Sequence, residues 1–165
     1  MNITFDINTQ EGDKLIVSLF SYPFLSQSIG VTNGMEIVEI SIARETGTGV
    51  VPIKVFGEIA KKLINIADND PDVIFYYFCD ATDEIPKQRN NRRTRCQDYR
   101  NELFKLVFQR YYNLAKDNWF DNEVRMPSED SNYFAHFLIR EQHSDVIELL
   151  KKEVMNNFQE IISLK

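Results

Sequence analysis

The strongest constraint on the fold is a run of seven apolar and aromatic residues, Val73 to Cys79, that contains no charge. A run of this kind is typical of a β-strand that is buried on both of its faces. The chain has 165 residues, which is enough to build a sizeable core around such a strand within one domain. The sequence therefore predicts a sheet with this strand in its interior.

The segments around this run show the alternating patterns of strands and the three- and four-residue spacing of helices. Strands are predicted at 3–7, 14–20, 35–43, 73–79, 119–126 and 133–140, and helices at 52–67, about 95–114 and about 144–165. The order β-β-β-α-β-α-β-β-α predicts one α+β domain over residues 1–165, with a mixed, mostly antiparallel sheet and flanking helices. The C-terminal helix is appended to it, and its apolar seam either packs back on the sheet or pairs with a second copy in a homodimer.

The second helix is expected to begin near Arg95 and to bury one face. The residues assigned to that face are Tyr99, Leu103, Leu106, Val107, Arg110, Tyr111 and Leu114. The last helix is expected to begin at Ser144, whose side chain suits a helix N-cap.

Cysteine usage and the N-terminus predict a cytoplasmic protein without a membrane segment. Cys79 and Cys96 belong to no CxxC or Cys/His pattern, so both are expected to be reduced thiols. The N-terminus lacks the pattern of a signal peptide, and no apolar run approaches the ~20 residues that span a bilayer. His136 and His143 have no third ligand at a suitable spacing, so no metal site is predicted.

A short glycine-containing segment, Arg44-Glu45-Thr46-Gly47-Thr48-Gly49, separates the third strand from the first helix. Glycines allow a tight turn that points backbone N–H groups at an anion. The following helix adds unpaired N–H groups and the positive end of its dipole, and Arg44 adds a charged donor. The pattern therefore predicts either a phosphate-binding loop or a strand-to-helix turn without a ligand.

This loop and the element order together resemble the GCN5-related N-acetyltransferase (GNAT) architecture without its usual first two helices. The resemblance implies that the loop binds the pyrophosphate of acetyl-CoA or another acyl-CoA. It also implies that the acyl thioester lies between the third and fourth strands and that the acyl group passes to a small-molecule amine. The cofactor-binding residues that it implies are Arg44, Thr46, Gly47, Thr48, Gly49 and Val50.

The chain departs from this family on the second helix. The family often carries an Asn there, with a Tyr seven residues later that protonates the departing thiolate. The best alignment places Asn101 and Phe108 at these positions, and phenylalanine cannot donate a proton. Tyr111 and Tyr112 lie three and four residues further along, so their hydroxyls are expected to point elsewhere. The resemblance therefore assigns no catalytic residue.

Two carboxylates on the third strand are candidates for a general base that deprotonates the amine. Glu36 and Glu39 are three residues apart and lie on opposite faces of the strand, so only one of them can face the cleft. The alternative is that each is an ordinary solvated residue of the strand.

Charge is distributed unevenly along the chain. The net charge of −6 argues against a dedicated nucleic-acid binder, but residues 87–100 carry +5 and the rest carry −11. The basic residues predicted to form a patch are Lys87, Arg89, Arg92, Arg93 and Arg95. They pair with the chain's own carboxylates, bind an anionic ligand or an acidic protein partner, or contact nucleic-acid phosphates.

The alternative function predicted from this basic segment is that of a non-catalytic binding module. The segment also lies in the stretch from Phe78 to Phe108, which resembles a family of small bacterial proteins without an established activity.

Overall fold

A computed structural model describes residues 1–10, 12–22, 34–47, 51–80, 95–129 and 132–163. Its strands are β1 (Asn2–Asn8), β2 (Lys14–Ser21), β3 (Glu36–Thr46), β4 (Val73–Cys79), β5 (Trp119–Pro127) and β6 (Asn132–Arg140). Its α-helices are α1 (Ile53–Asn69), α2 (Cys96–Tyr111), α3 (Ile147–Asn156) and α4 (Phe158–Ser163), with 3₁₀ turns at Tyr112–Leu114 and Glu141–Val146. In these ranges no helix is long and apolar enough to cross a membrane.

The strands form one six-stranded sheet in the order β1-β2-β3-β4-β6-β5. β3 and β4 are parallel, and the other neighbouring strands are antiparallel. Because parallel neighbours need a crossover connection, α1 links β3 to β4 across one face. Every residue of β4 is buried, as its apolar run predicts. The α+β class and the mixed, mostly antiparallel sheet are confirmed.

Helices cover both faces of the sheet. α1 and α2 pack on one face over a core that includes Val17, Val38 and Phe75. The C-terminal helices pack on the other face, where Leu150 and Ile161 are fully buried against residues of β4, β5 and β6. Of the two alternatives for the C-terminal apolar seam, the structure shows packing against the sheet.

The C-terminal helix differs from its prediction. Ser144 does not cap it, because Ser144 lies inside the 3₁₀ turn Glu141–Val146 and α3 begins at Ile147. The helix is also interrupted at Asn157, whose side-chain amide donates to the Glu153 carbonyl oxygen at 2.8 Å. Asparagine competes with the helix for backbone partners in this way, which ends α3 before α4 begins.

The buried face of α2 also differs from its prediction. Leu106 and Leu114 are 51% and 53% exposed, whereas the polar residues Gln97, Arg100 and Asn101 are buried. Apolar spacing alone misses this face because Arg100 pairs with Asp80, directly after β4, and Asn101 contacts polar residues of β5 and β6.

Candidate functional site

The two central parallel strands separate part of the way along their length. Within the described strands, β3 and β4 pair over only four residues each, from Glu36 with Val73 to Glu39 with Tyr76. Beyond this point β3 pairs only with β2 and β4 only with β6, although β3 continues to Thr46 and β4 to Cys79. We call the point after Glu39 and Tyr76 the fork.

A cavity lies over the fork, on the side of the sheet covered by α1 and α2. Its volume is about 90 Å³, and its walls are almost wholly apolar. β3 and β4 contribute Ile40, Ile42, Phe75 and Tyr77, and α1 and α2 contribute the two long sides. Well-packed interiors contain few voids larger than a water molecule, so this cavity, here called the groove, is a candidate ligand site.

One charged side chain is found among the described residues that line the groove. Arg100 of α2 is 4% exposed, and its Nη1 forms an ion pair with Oδ1 of Asp80, which directly follows β4. A buried arginine is stabilised when a carboxylate neutralises it in this way. The groove therefore contains a guanidinium whose charge is already balanced by the protein.

The segment predicted to bind phosphate divides between a strand and a turn. Arg44, Glu45 and Thr46 belong to β3 instead of a loop, with a register irregularity opposite Lys14 and Leu15. Gly47 has φ +95°, a left-handed conformation that favours glycine. The other predicted residues of this site, Thr48, Gly49 and Val50, lie outside the described residues.

A buried carboxylate explains why glycine is required at position 47. Asp13 is 2% exposed, and a Cβ atom on Gly47 would overlap its carboxyl group. Arg44 holds the same carboxylate, with Nη1 at 3.3 Å from Oδ1 of Asp13. The guanidinium of Arg44 thus anchors the turn between β1 and β2, and any ligand phosphate would compete with Asp13 for it.

Most of the predicted basic patch cannot be placed. Lys87, Arg89, Arg92 and Arg93 lie outside the described residues. Arg95 is exposed at the N-cap position of α2, where it makes no side-chain capping hydrogen bond.

The two carboxylates of β3 occupy different environments. Glu36 forms an ion pair with the N-terminal amine of Met1 and accepts a hydrogen bond from Ser21. Glu39 is 2% exposed and lies opposite Tyr76 in the last residue pair before the fork. The expectation that Glu39 is a solvated strand residue is wrong. Its side chain lies on the sheet face opposite the groove, because residues of a strand alternate between faces and Ile40 lines the groove.

The aromatic residues near the end of α2 share one surface. Phe108, Tyr111 and Tyr112 all line the groove, and the rings of Phe108 and Tyr112 stack at 5.5 Å. Residues three and four apart lie on the same face of a helix, so the two tyrosines share this surface with Phe108. The Tyr111 hydroxyl occupies the space that a Cβ on Gly57 would fill, so this glycine lets the ring pack against α1.

Behind the groove, a buried histidine links α2 to the last two strands. His136 is fully buried, with Nδ1 at 2.8 Å from Asp121 Oδ1 and Nε2 at 2.7 Å from Asn101 Oδ1. Because Asn101 also hydrogen-bonds Glu123 through its side chain, its amide nitrogen is directed there and its oxygen towards His136. Both ring nitrogens of His136 thus lie within hydrogen-bond distance of side-chain oxygens.

The next contact in this cluster joins the oppositely charged side chains of Glu123 and Lys105. Burial alone would raise the pKa of Glu123, but hydrogen bonds from Lys105 and Asn101 bring it below its usual value. The hydrogen bond to Glu123 in turn raises the pKa of Lys105. Phe104 connects the cluster to the groove, since its ring stacks on Tyr77 at 4.5 Å and lies 4.8 Å from His136.

Sequence reasoning missed this polar cluster. The sequence shows a histidine within a strand and an asparagine on α2, but it does not show that these two side chains contact each other. No group of three or more His, Cys, Asp or Glu side chains that could hold a metal ion occurs in the described part of the chain.

Comparison with known proteins gives no match: no family model, no curated protein and no solved structure is recognisably similar to this chain.

Proposed function

We propose that the chain has a GNAT-like topology and transfers an acyl group from acyl-CoA to an amine. The observation that carries this proposal is the fork, where two parallel central strands separate beneath an apolar groove. The GNAT resemblance assigns the acyl thioester to this gap.

The gap offers backbone groups for a ligand that contains amides. Beyond Glu39 and Tyr76, the edges of β3 and β4 that face each other have no partner strand within the described residues. Backbone N–H and C=O groups need hydrogen-bond partners when they are shielded from water. The pantetheine arm of CoA carries two amides, and in this proposal they pair with these edges as an added strand would.

The end of the gap near Gly47 suits the phosphates of the cofactor. The left-handed turn at Gly47 precedes α1, whose first turn contains no acidic residue. Lys54 in that turn is exposed, and its ammonium group donates to the side chain of Gln10. A helix N-terminus and a nearby cation both favour a bound anion. In this proposal Arg44 contributes indirectly, by holding Asp13 and the turn that Asp13 supports.

The proposed reaction is a direct attack by the amine nitrogen on the thioester carbonyl carbon. The carbon–sulfur bond breaks, the amide forms, and CoA leaves as a thiolate that is protonated by water. Strand N–H groups at the gap polarise the carbonyl oxygen. The amine approaches the gap from the sheet face opposite the groove. There Glu39, the β3 carboxylate in the last residue pair before the fork, accepts the proton that the amine loses.

Charge reversal near the start of α1 tests the cofactor site. We expect calorimetric titration to show that wild type binds acetyl-CoA and that Lys54→Glu binds it about five- to tenfold more weakly, since the reversal repels the phosphates. Lys61→Glu is the matched control, because Lys61 is also exposed but lies two turns further along α1. No binding by wild type, or equal weakening in both variants, would contradict the proposal.

A further inference from the structure

The groove is longer than the gap between β3 and β4. The α1 side chains that line it extend from Phe56 to Ala67, a distance of about 16 Å along the helix axis. One part is bordered by Ile40 and Tyr77, the residues directly beyond the fork. The groove also reaches Trp119 and the small side chains of Ala67 and Ala115.

The side chains that line the groove favour an apolar ligand. Apart from Arg100, whose charge is balanced by Asp80, the described lining consists of aliphatic and aromatic side chains. An acetyl group ends within the gap and leaves the distant part of the groove unused. A polar substrate would lose its hydration along the aliphatic and phenylalanine side chains that form most of these walls.

We propose that the groove is an acyl-chain site and that the preferred donor is a medium-chain acyl-CoA. This inference rests on the proposed function, because it places the thioester in the gap. The chain then passes between Ile40 and Tyr77 and lies along α1 towards Ala115 and Trp119. An extended chain of eight carbons spans less than about 11 Å, given carbon–carbon bonds of about 1.5 Å, so it fits within the length of the groove.

Chain-length dependence of binding tests the inference. Calorimetric titrations with CoA, acetyl-CoA, butanoyl-CoA and octanoyl-CoA are compared on wild type. Each methylene that leaves water for an apolar site improves affinity on the order of fourfold when it is fully buried. We therefore expect affinity to increase steadily from acetyl-CoA to octanoyl-CoA, by at least tenfold in all.

Two variants test the position of the chain. Ala115→Phe fills the distant part of the groove, and Ala60→Phe fills its middle from α1. We expect both to reduce the affinity for octanoyl-CoA to about that for acetyl-CoA while acetyl-CoA binding stays within about twofold of wild type. Lys61→Phe is the control, because it adds the same ring to an exposed position on the same helix. Thermal unfolding identifies a variant that does not fold. If one of the two groove variants fails to fold, the affinities are compared in the one that does.

The outcomes separate this inference from the proposed function. Equal affinities of wild type for acetyl-CoA and octanoyl-CoA would overturn the acyl-chain site and leave the acyl-CoA proposal standing. Chain-length dependence that persists unchanged in a folded Ala115→Phe or Ala60→Phe protein would overturn the placement in the groove. Failure of CoA and all three thioesters to bind would overturn both proposals.

Discussion

Replacement of Arg140 by alanine is expected to lower the free energy of unfolding by about 3–5 kcal/mol. Arg140 ends β6, and its side chain is 2% exposed. Its Nε donates to Asp117 Oδ2 at 2.8 Å, and its guanidinium also donates to the carbonyl oxygens of Ala67, Asp70 and Pro71. The same group lies 4.6 Å from the Trp119 ring centre.

The size of this effect follows from what the alanine would leave behind. At the end of α1 the Ala67 carbonyl oxygen otherwise accepts only a 3.2 Å bond from the Asp70 N–H, and a positive charge there also complements the helix dipole. Without Arg140, the buried Ala67 carbonyl oxygen and the partly buried carbonyl oxygens of Asp70 and Pro71 each lose a donor, and a cavity opens beside Trp119. Because natural domains are stable by only about 5–15 kcal/mol, such a loss is a large part of the total.

Urea denaturation measures this prediction. Arg125→Ala is the matched control, because Arg125 is exposed on the neighbouring strand β5 and is expected to change stability by less than about 0.5 kcal/mol. Arg140→Lys should recover only part of the loss, since lysine keeps the charge but not the planar set of donors. Equal stability of Arg140→Ala and Arg125→Ala would show that the buried guanidinium does not hold α1 to the sheet.

The second large effect concerns turnover. Glu39→Gln is expected to lower kcat about 10²- to 10⁴-fold, the usual contribution of a general base. The affinity for acetyl-CoA should stay within about threefold of wild type, because Glu39 lies on the face of the sheet opposite the groove. Release of the CoA thiol from acetyl-CoA, with benzylamine and a lysine-containing peptide as probe amines, measures the rate.

Glu36→Gln is the matched control for this variant. Glu36 lies on the same strand and contacts the N-terminal amine and Ser21, so its loss should leave kcat within about threefold of wild type. Equal rates in the two variants would remove Glu39 from the proposed mechanism. Failure of wild type to accelerate thiol release above the uncatalysed rate would contradict the transfer reaction itself.

Much of the fold could be predicted because periodicity reports burial directly. The apolar run of β4 indicated a fully buried strand, and the spacing of apolar residues on α1 indicated one buried face. Two of the boundaries that differ from their prediction show why periodicity was not enough. Arg44 extends β3 because Asp13 receives its charge beside β2, and Asn157 divides the last helix through its own side chain. Such contacts depend on residues that are distant in sequence or on competition for backbone groups.

Less of the candidate site could be predicted. The sequence drew attention to Gly47 and to a gap between the third and fourth strands, but it could not show where their pairing ends. Nor could it show that Glu39 is buried beside that point. Glu36 and Glu39 are the same residue type on the same strand, and their contacts in the fold are what distinguishes them. The contact between Asn101 and His136 joins residues 35 positions apart, which no local pattern reports.

Backbone amide NMR shifts during a titration with acetyl-CoA show where the cofactor lies and so test the proposed binding site. We expect the largest shifts at the facing edges beyond the fork, in residues 40–47 of β3 and its turn and 77–79 of β4. Smaller shifts are expected at the start of α1, and none at α3 or α4 on the opposite face. Shifts confined to α3 and α4, or no shifts at a saturating concentration, would contradict cofactor binding at the fork.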